Sequence, residues 1–249
     1  MVATASCLCF SPNAASGWGG IAHQKIAEFA VDSLSPEYSR KLLLYKEDLF
    51  QGITDSMKNH GSSAGPEISA EVQLLMLVPH KDDDFSRYYA YRLGELSVAV
   101  SDLTLPLSGS SASDKRALER LEADVDADVG AYRAHKINPT ILTYPGIYLE
   151  RLRTDARKSE SFVKTRYLSG GQYGACKDDL LLPAFKNAVQ AVASLWETAL
   201  SKEPDPGALS PPIRVMYYTS QIKFASEREY LDDVELALRK LSEEKRRIP

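Results

Sequence analysis

The chain is poor in the residues that make chemistry easy to read: three cysteines (Cys7, Cys9 and Cys176) and four histidines in 249 residues. No apolar run reaches the roughly 18–20 residues that a membrane span requires. Alternating strand patterns, internal repeats and a phosphate-cradling loop are also missing. The glycine-rich break Gly170–Gly174 does not stand between a strand and a helix, so it does not mark a nucleotide site. Neither sign of charge dominates, since 30 basic and 34 acidic side chains give −4. That excludes a broadly basic surface for coating nucleic acid. With 44% hydrophobic and 26% charged residues the composition is globular, not disordered. One domain of this length can bury roughly three quarters of its unfolded surface, so it needs no staple to fold.

Met1 to Gly17 contains no Lys or Arg, and Ala15-Ser16-Gly17 has the small–x–small form of a signal-peptidase site. Residues 1–17 are read as a leader, either an export signal or a disordered segment, ahead of one α-helical domain over 18–249. Cleavage before Trp18 would leave Cys176 as the sole cysteine and rule out an intrachain disulfide. The product would be secreted or periplasmic; without cleavage the protein would be cytoplasmic.

From Trp18 onward the pattern is helical. Ile21, Ile26, Phe29, Ala30 and Leu34 follow helical spacing. Ser35-Pro36-Glu37 opens the next helix. Further helices are expected over Ile68–Val78, Ser86–Leu105, Lys115–Arg133, from Asn138-Pro139 to about Lys158, and over Asp178–Ser201. Beyond the proline-rich Glu203–Pro212, two more fill Ile213–Arg247. The expected fold is a single all-α domain of many helices.

The helix ending at Pro106 is the most informative. Arg92, Glu95, Ala99 and Asp102 are spaced 3, 4 and 3 apart and share one face. Asp102 stands in an apolar run near the C-terminus, where its charge opposes the helix dipole. Burial without a partner would cost several kcal/mol more, roughly, so a metal ion or a basic side chain should compensate. Among the histidines, His23 lies in the motif Trp18-Gly-Gly-Ile-Ala-His23, and His80 follows Pro79; His60 and His135 carry no motif.

Trp18-x4-His23 resembles the mature N-terminus of the zinc-dependent phospholipase C / S1-P1 nuclease superfamily. The resemblance implies a multi-helix fold in which the free amine and carbonyl of Trp18 chelate zinc with His23 and Asp102. The family's His-x3-Asp-x5-His frame falls on Val98-x3-Asp102-x5-Ser108, with Pro106-Leu107 kept, and its His-x3-Glu/Asp motif on Leu118-x3-Glu122. Asp55 and His80 would be the upstream ligands, expected beside Asp102. Val98 and Leu118 cannot ligate and Ser108 ligates poorly. The implied cofactor is therefore one or two zinc ions rather than three, held by Trp18, His23, Asp55, His80, Asp102 and Glu122, with Asp55 also catalytic.

The resemblance implies a hydrolase of phosphate esters, with a phospholipid or nucleotide as substrate, Arg92 and Glu95 contacting it, no stable nucleic-acid complex and at most peripheral membrane contact. The alternative is a non-catalytic binding protein that keeps the same helical fold. Taken by themselves, Arg92 and Glu95 read as a surface ion pair.

Overall fold

The structure is a computed structural model, and it describes residues 17–59, 65–81, 84–106, 112–132, 137–168 and 173–247. The leader up to Ser16, with Cys7 and Cys9, lies outside the described residues, as do His60, His135, Leu107, Ser108 and residues 169–172. All regular structure among the described residues is helical, in one helical domain. The long helices are α1 (Gly20–Ser33), α2 (Pro36–Leu44), α3 (Lys46–Asn59), α4 (Gly65–Leu77), α5 (Arg87–Asp102), α6 (Ala112–Asp128) and α7 (Pro145–Lys158). Two short turns follow, α8 (Glu160–Val163) and α9 (Gly174–Cys176), each running into a π-helical turn. The chain closes with α10 (Leu182–Ser201), α11 (Pro211–Glu227) and α12 (Leu231–Arg247). No helix among the described residues is long and apolar enough to cross a membrane.

Two glycines decide how α3 and α5 meet. A Cβ on Gly52 would lie 2.1 Å from the Tyr91 carbonyl oxygen, and one on Gly94 would lie 2.0 Å from that of Leu49. Backbone therefore touches backbone at this crossing, which only glycine on both sides permits. Contacts climb together in number, from Asp48–Arg87 to Ser56–Glu95, so the two helices run in the same general direction. That brings their C-terminal ends to the start of α1, where Met57 approaches Gly20 and Asp102 approaches Trp18.

α10 is the central apolar helix. Trp196 is fully buried and its indole N–H donates to the Leu93 carbonyl of α5 at 3.1 Å. Phe185 meets Trp18 and Tyr132 edge-on, at 5.9 and 5.0 Å between ring centroids. The hairpin α11–α12 packs on α5 through Tyr88–Tyr217, Tyr88–Phe224 and Tyr91–Phe224. A buried pair, Arg214–Glu244 at 2.6 Å, joins its two helices.

The expected helix from Asn138-Pro139 begins later, at Pro145. Residues 137–144 are not helical. The Thr140 N–H donates to Ser194 Oγ at 3.1 Å and the Leu142 N–H to Thr198 Oγ1 at 2.9 Å, so α10 hydroxyls satisfy this backbone without a helix. At α2, Pro36 takes the first helical position as expected, but the Ser35 side chain makes no capping bond. Its N–H goes instead to the Glu197 carboxylate at 3.2 Å.

Candidate metal centre at the start of the first helix

α1 begins without a capping side chain of its own, because Gly19 stands at its N-cap. Asp126 of α6 supplies the cap from across the fold. Its carboxylate accepts the Ala22 N–H at 2.8 Å and the Ile21 N–H at 3.2 Å. An anion at a helix N-terminus is favourable for both hydrogen bonding and the helix dipole. A Cβ on Gly19 would come within 2.5 Å of that carboxylate, so the close approach needs glycine there.

This docking sets Trp18 and His23 against the C-terminal end of α5. The Trp18 N–H donates to Asp102 Oδ1 at 3.0 Å. His23 Nε2 lies 3.2 Å from the same oxygen. On its other side, His23 Nδ1 lies 2.9 Å from Ser101 Oγ. The Trp18 indole N–H donates to the Ser101 carbonyl at 3.0 Å and to Thr104 Oγ1 at 3.3 Å. Trp18 and His23 are each 3% exposed, so these donors and acceptors have little water to turn to.

Glu122 completes the surroundings. It accepts the Gly17 N–H at 3.3 Å. Burial pushes its carboxyl up to about 7, against the Gly17 hydrogen bond, which favours the charged form; the nearby Asp102 charge adds to the rise, His23 opposes it and Asp126 adds again. The residues at 17–19 are thus lodged among Asp102, Glu122 and Asp126. Beside Thr104, a cleft of about 420 Å³ opens between the end of α5, α7 and α10, lined in part by Pro106, Tyr148, Leu152, Leu180 and Pro183.

The structure therefore brings together four of the expected site residues, Trp18, His23, Asp102 and Glu122. It does not bring Asp55 or His80 to them. Asp55 sits on α3 facing α11, with Gln51 Nε2 at 2.7 Å, Tyr91 Oη at 3.3 Å and Arg228 Nη2 at 3.3 Å. Tyr91 precedes Asp102 by eleven residues, about 16 Å along the helix at 1.5 Å per residue. His80 is buried at the opposite end of α5, stacked on Tyr89 at 5.1 Å, with Nδ1 2.7 Å from the Val78 carbonyl. Asp55 is committed to an ion pair with Arg228 and His80 to a stack on Tyr89, both away from Asp102. Val98 and Leu118, which replace family ligands, are buried apolar residues.

Arg92 and Glu95 do share a face of α5 with Asp102, but they lie about 15 and 10 Å from it along the axis. Arg92 is tied to Glu71, to the Tyr88 hydroxyl at 2.8 Å and to Glu95 at 3.1 Å. Burial raises the Glu71 and Glu95 carboxyls, while the guanidinium between them pulls both down. That is an ion-pair network between α4 and α5.

Sequence reasoning passed over Ser101 and Asp126. Ser101 is adjacent to Asp102, and Asp126 stands four residues after Glu122, one turn on, beside the buried face of Leu118, Leu121 and Val125. That spacing was the available signal.

Could this site hold zinc? Tetrahedral ligands 2.0–2.2 Å from an ion are about 3.3 Å from one another. The 3.2 Å between His23 Nε2 and Asp102 Oδ1, and the 3.0 Å from Asp102 Oδ1 to Trp18 N, suit that spacing. Among the described residues no group of three or more His, Cys, Asp or Glu side chains converges on one ion position. A complete set here therefore depends on a main-chain donor, and a peptide nitrogen has no lone pair to give. Only a free amine at Trp18 makes the set fit. No family model, no curated protein and no solved structure matches this chain.

Proposed function

We propose that the chain, once cut before Trp18, is a zinc-dependent hydrolase of phosphate esters that works with a single ion. The Trp18 amine and carbonyl, His23 and Asp102 would hold the ion, with Glu122 beside it. One observation carries the reading: a histidine nitrogen and a carboxylate oxygen, both of kinds that ligate zinc, lie 3.2 Å apart with a chain nitrogen 3.0 Å from the same oxygen. When bound, the ion would neutralise phosphate oxygens and make water a better nucleophile.

The chain's own residues do the rest. Asp126 holds the first turn of α1, and so fixes Trp18 and His23 in register. Cleavage frees Glu122 Oε1 from the Gly17 N–H, and this carboxylate is placed to take a proton from an attacking water or return one to the leaving oxygen. Membrane contact in this reading is peripheral at most.

The second reading is a non-catalytic binding protein with the same fold. The commitment of Asp55 and His80 to other partners favours it, as do the buried Val98 and Leu118 at ligand positions.

Protein produced with Trp18 as its first residue distinguishes the two. The hydrolase reading expects bound zinc, hydrolysis of a nitrophenyl phosphodiester, loss of activity with chelator and recovery with Zn²⁺. His23→Ala and Asp102→Ala should each abolish activity and zinc binding. Zinc-loaded protein inert towards phospholipid, nucleotide and generic esters supports the binding protein instead. Equal zinc content in the cut and uncut forms removes Trp18 from the site.

A further inference from the structure

Ser101 Oγ stands between the His23 ring and a main-chain carbonyl. It lies 2.9 Å from His23 Nδ1 and 3.0 Å from the Val98 carbonyl, one turn back in α5. Ser101 is fully buried and His23 nearly so. A hydroxyl has one proton to donate, and a neutral imidazole carries one N–H. Two arrangements are open to the neutral ring. In the first, His23 Nε2–H donates to Asp102, and the Ser101 hydroxyl donates to the bare Nδ1. In the second, the ring proton sits on Nδ1 and donates to Ser101 Oγ, whose hydroxyl turns to the Val98 carbonyl. Nε2 then presents a lone pair towards Asp102 Oδ1, an arrangement of two acceptors that a cation between them makes favourable.

Passing from one arrangement to the other requires only rotation about the Cβ–Oγ bond of Ser101 and a change of ring tautomer. No side chain has to move, and with a cation beside Nε2 no buried polar group is stranded. We propose that Ser101 is the positioning residue of the ion site, its rotating hydroxyl letting His23 exchange tautomers when a cation arrives. The proton lost from Nε2 is regained at Nδ1 through solvent, so His23 gains and loses none overall. The inference rests on the zinc reading above and adds to it the residue that prepares His23 as a ligand. Metal-bound histidines generally donate their second N–H to a fixed acceptor, and removing that acceptor typically weakens binding roughly 10–100-fold.

The test uses protein beginning at Trp18, which retains every buried core side chain among the described residues. The ¹⁵N shifts of the His23 ring are measured by NMR at pH 8 without metal and with Zn²⁺ alone. The expected result is an Nε2–H tautomer without the ion and an Nδ1–H tautomer with it. Ser101→Ala should weaken zinc binding about tenfold or more, and Ser101→Thr, whose hydroxyl can serve both partners from a helix, should restore it. An unchanged tautomer on zinc addition, or full affinity in Ser101→Ala, overturns the role of Ser101 while leaving the ion site standing. If the unsubstituted protein binds no zinc, the ion site and this inference fall together. The tautomer measurement needs no variant, so a Ser101→Ala chain that fails to fold does not rescue the proposal.

Discussion

Replacing Gly17 with alanine in the uncut chain tests the seating of the chain against Asp102. A Cβ at this position would lie 1.7 Å from Asp102 Oδ1 and 2.0 Å from its Cγ. The carboxylate is the movable partner, but swinging it aside breaks its contacts with the Trp18 N–H and His23, both made through Oδ1. Hydrogen bonds to a charged group are worth about 1.5–3 kcal/mol each. The Asp102 side chain is 18% exposed, so water recovers part of the loss. We expect Gly17→Ala to cost about 2–4 kcal/mol. At about 2–4 °C per kcal/mol for a domain of this size, the melting temperature should fall by about 5–15 °C. Scanning calorimetry reads this directly. Gly174→Ala is the control, because a Cβ there meets nothing within 4 Å; it should stay within about 0.5 kcal/mol. A Gly17→Ala protein that melts with the unsubstituted chain would show that residues 17 and 18 are not lodged against Asp102, and would remove the chain nitrogen from the site.

Other parts of the fold yield sharper or simpler tests. Glu229 closes the α11–α12 turn at φ 57°, a left-handed position that favours glycine, and it is exposed; Glu229→Gly should gain about 0.5–1 kcal/mol in urea unfolding, and a loss would contradict the strain. Burial lowers the His80 pKa below its ordinary 6.5, with Lys81 acting in the same direction and the carbonyls of Val78, Lys202 and Leu200 opposing. The unfolded chain therefore takes up this proton more readily than the folded one, so the stability present above pH 6.5 is lost as pH falls below it. His80→Gln should flatten the fall in urea midpoint between about pH 7 and 5, and identical slopes would sink the assignment. Arg92→Met leaves Glu71 and Glu95 without their shared cation; allowing for side-chain exposures of 21% and 35%, it should cost about 1–3 kcal/mol. In protein beginning at Trp18 the same substitution should leave zinc affinity unchanged, and weakened binding would return Arg92 to the site.

The all-helical class was legible because apolar residues recur at helical spacing throughout, and the resemblance carried by Trp18-x4-His23 led from Trp18 to Asp102 across 84 positions. Two kinds of feature were not legible. Asn138-Pro139 looked like a helix start because the hydroxyls that occupy the Thr140 and Leu142 N–H groups come from Ser194 and Thr198, far away in the chain. Gly52 and Gly94 looked like ordinary helix residues, since only the paired helices reveal that each faces a backbone. At the site, spacing put Arg92, Glu95 and Asp102 on one face but said nothing of how far along that face a partner lies. Glu71 takes Arg92 before any ligand at Asp102 could. Asp55 and His80 had the right residue types, but Arg228 and Tyr89 claimed them.

The burial of residues 17 and 18 bears on when the proposed cut before Trp18 could be made. Gly17 is buried and Trp18 is 3% exposed, with its ring wedged between the end of α5 and Phe185. A protease needs several residues around its target bond drawn out into its own cleft, and here that would mean pulling Trp18 from the core and uncapping α1. The proposed cut at the Gly17–Trp18 bond therefore requires a chain that has yet to fold, with the new terminus docking afterwards. A processing peptidase added to folded, uncut protein should leave the bond intact at temperatures well below melting, yet cut it in urea. Rapid cleavage of the folded protein would reverse that order.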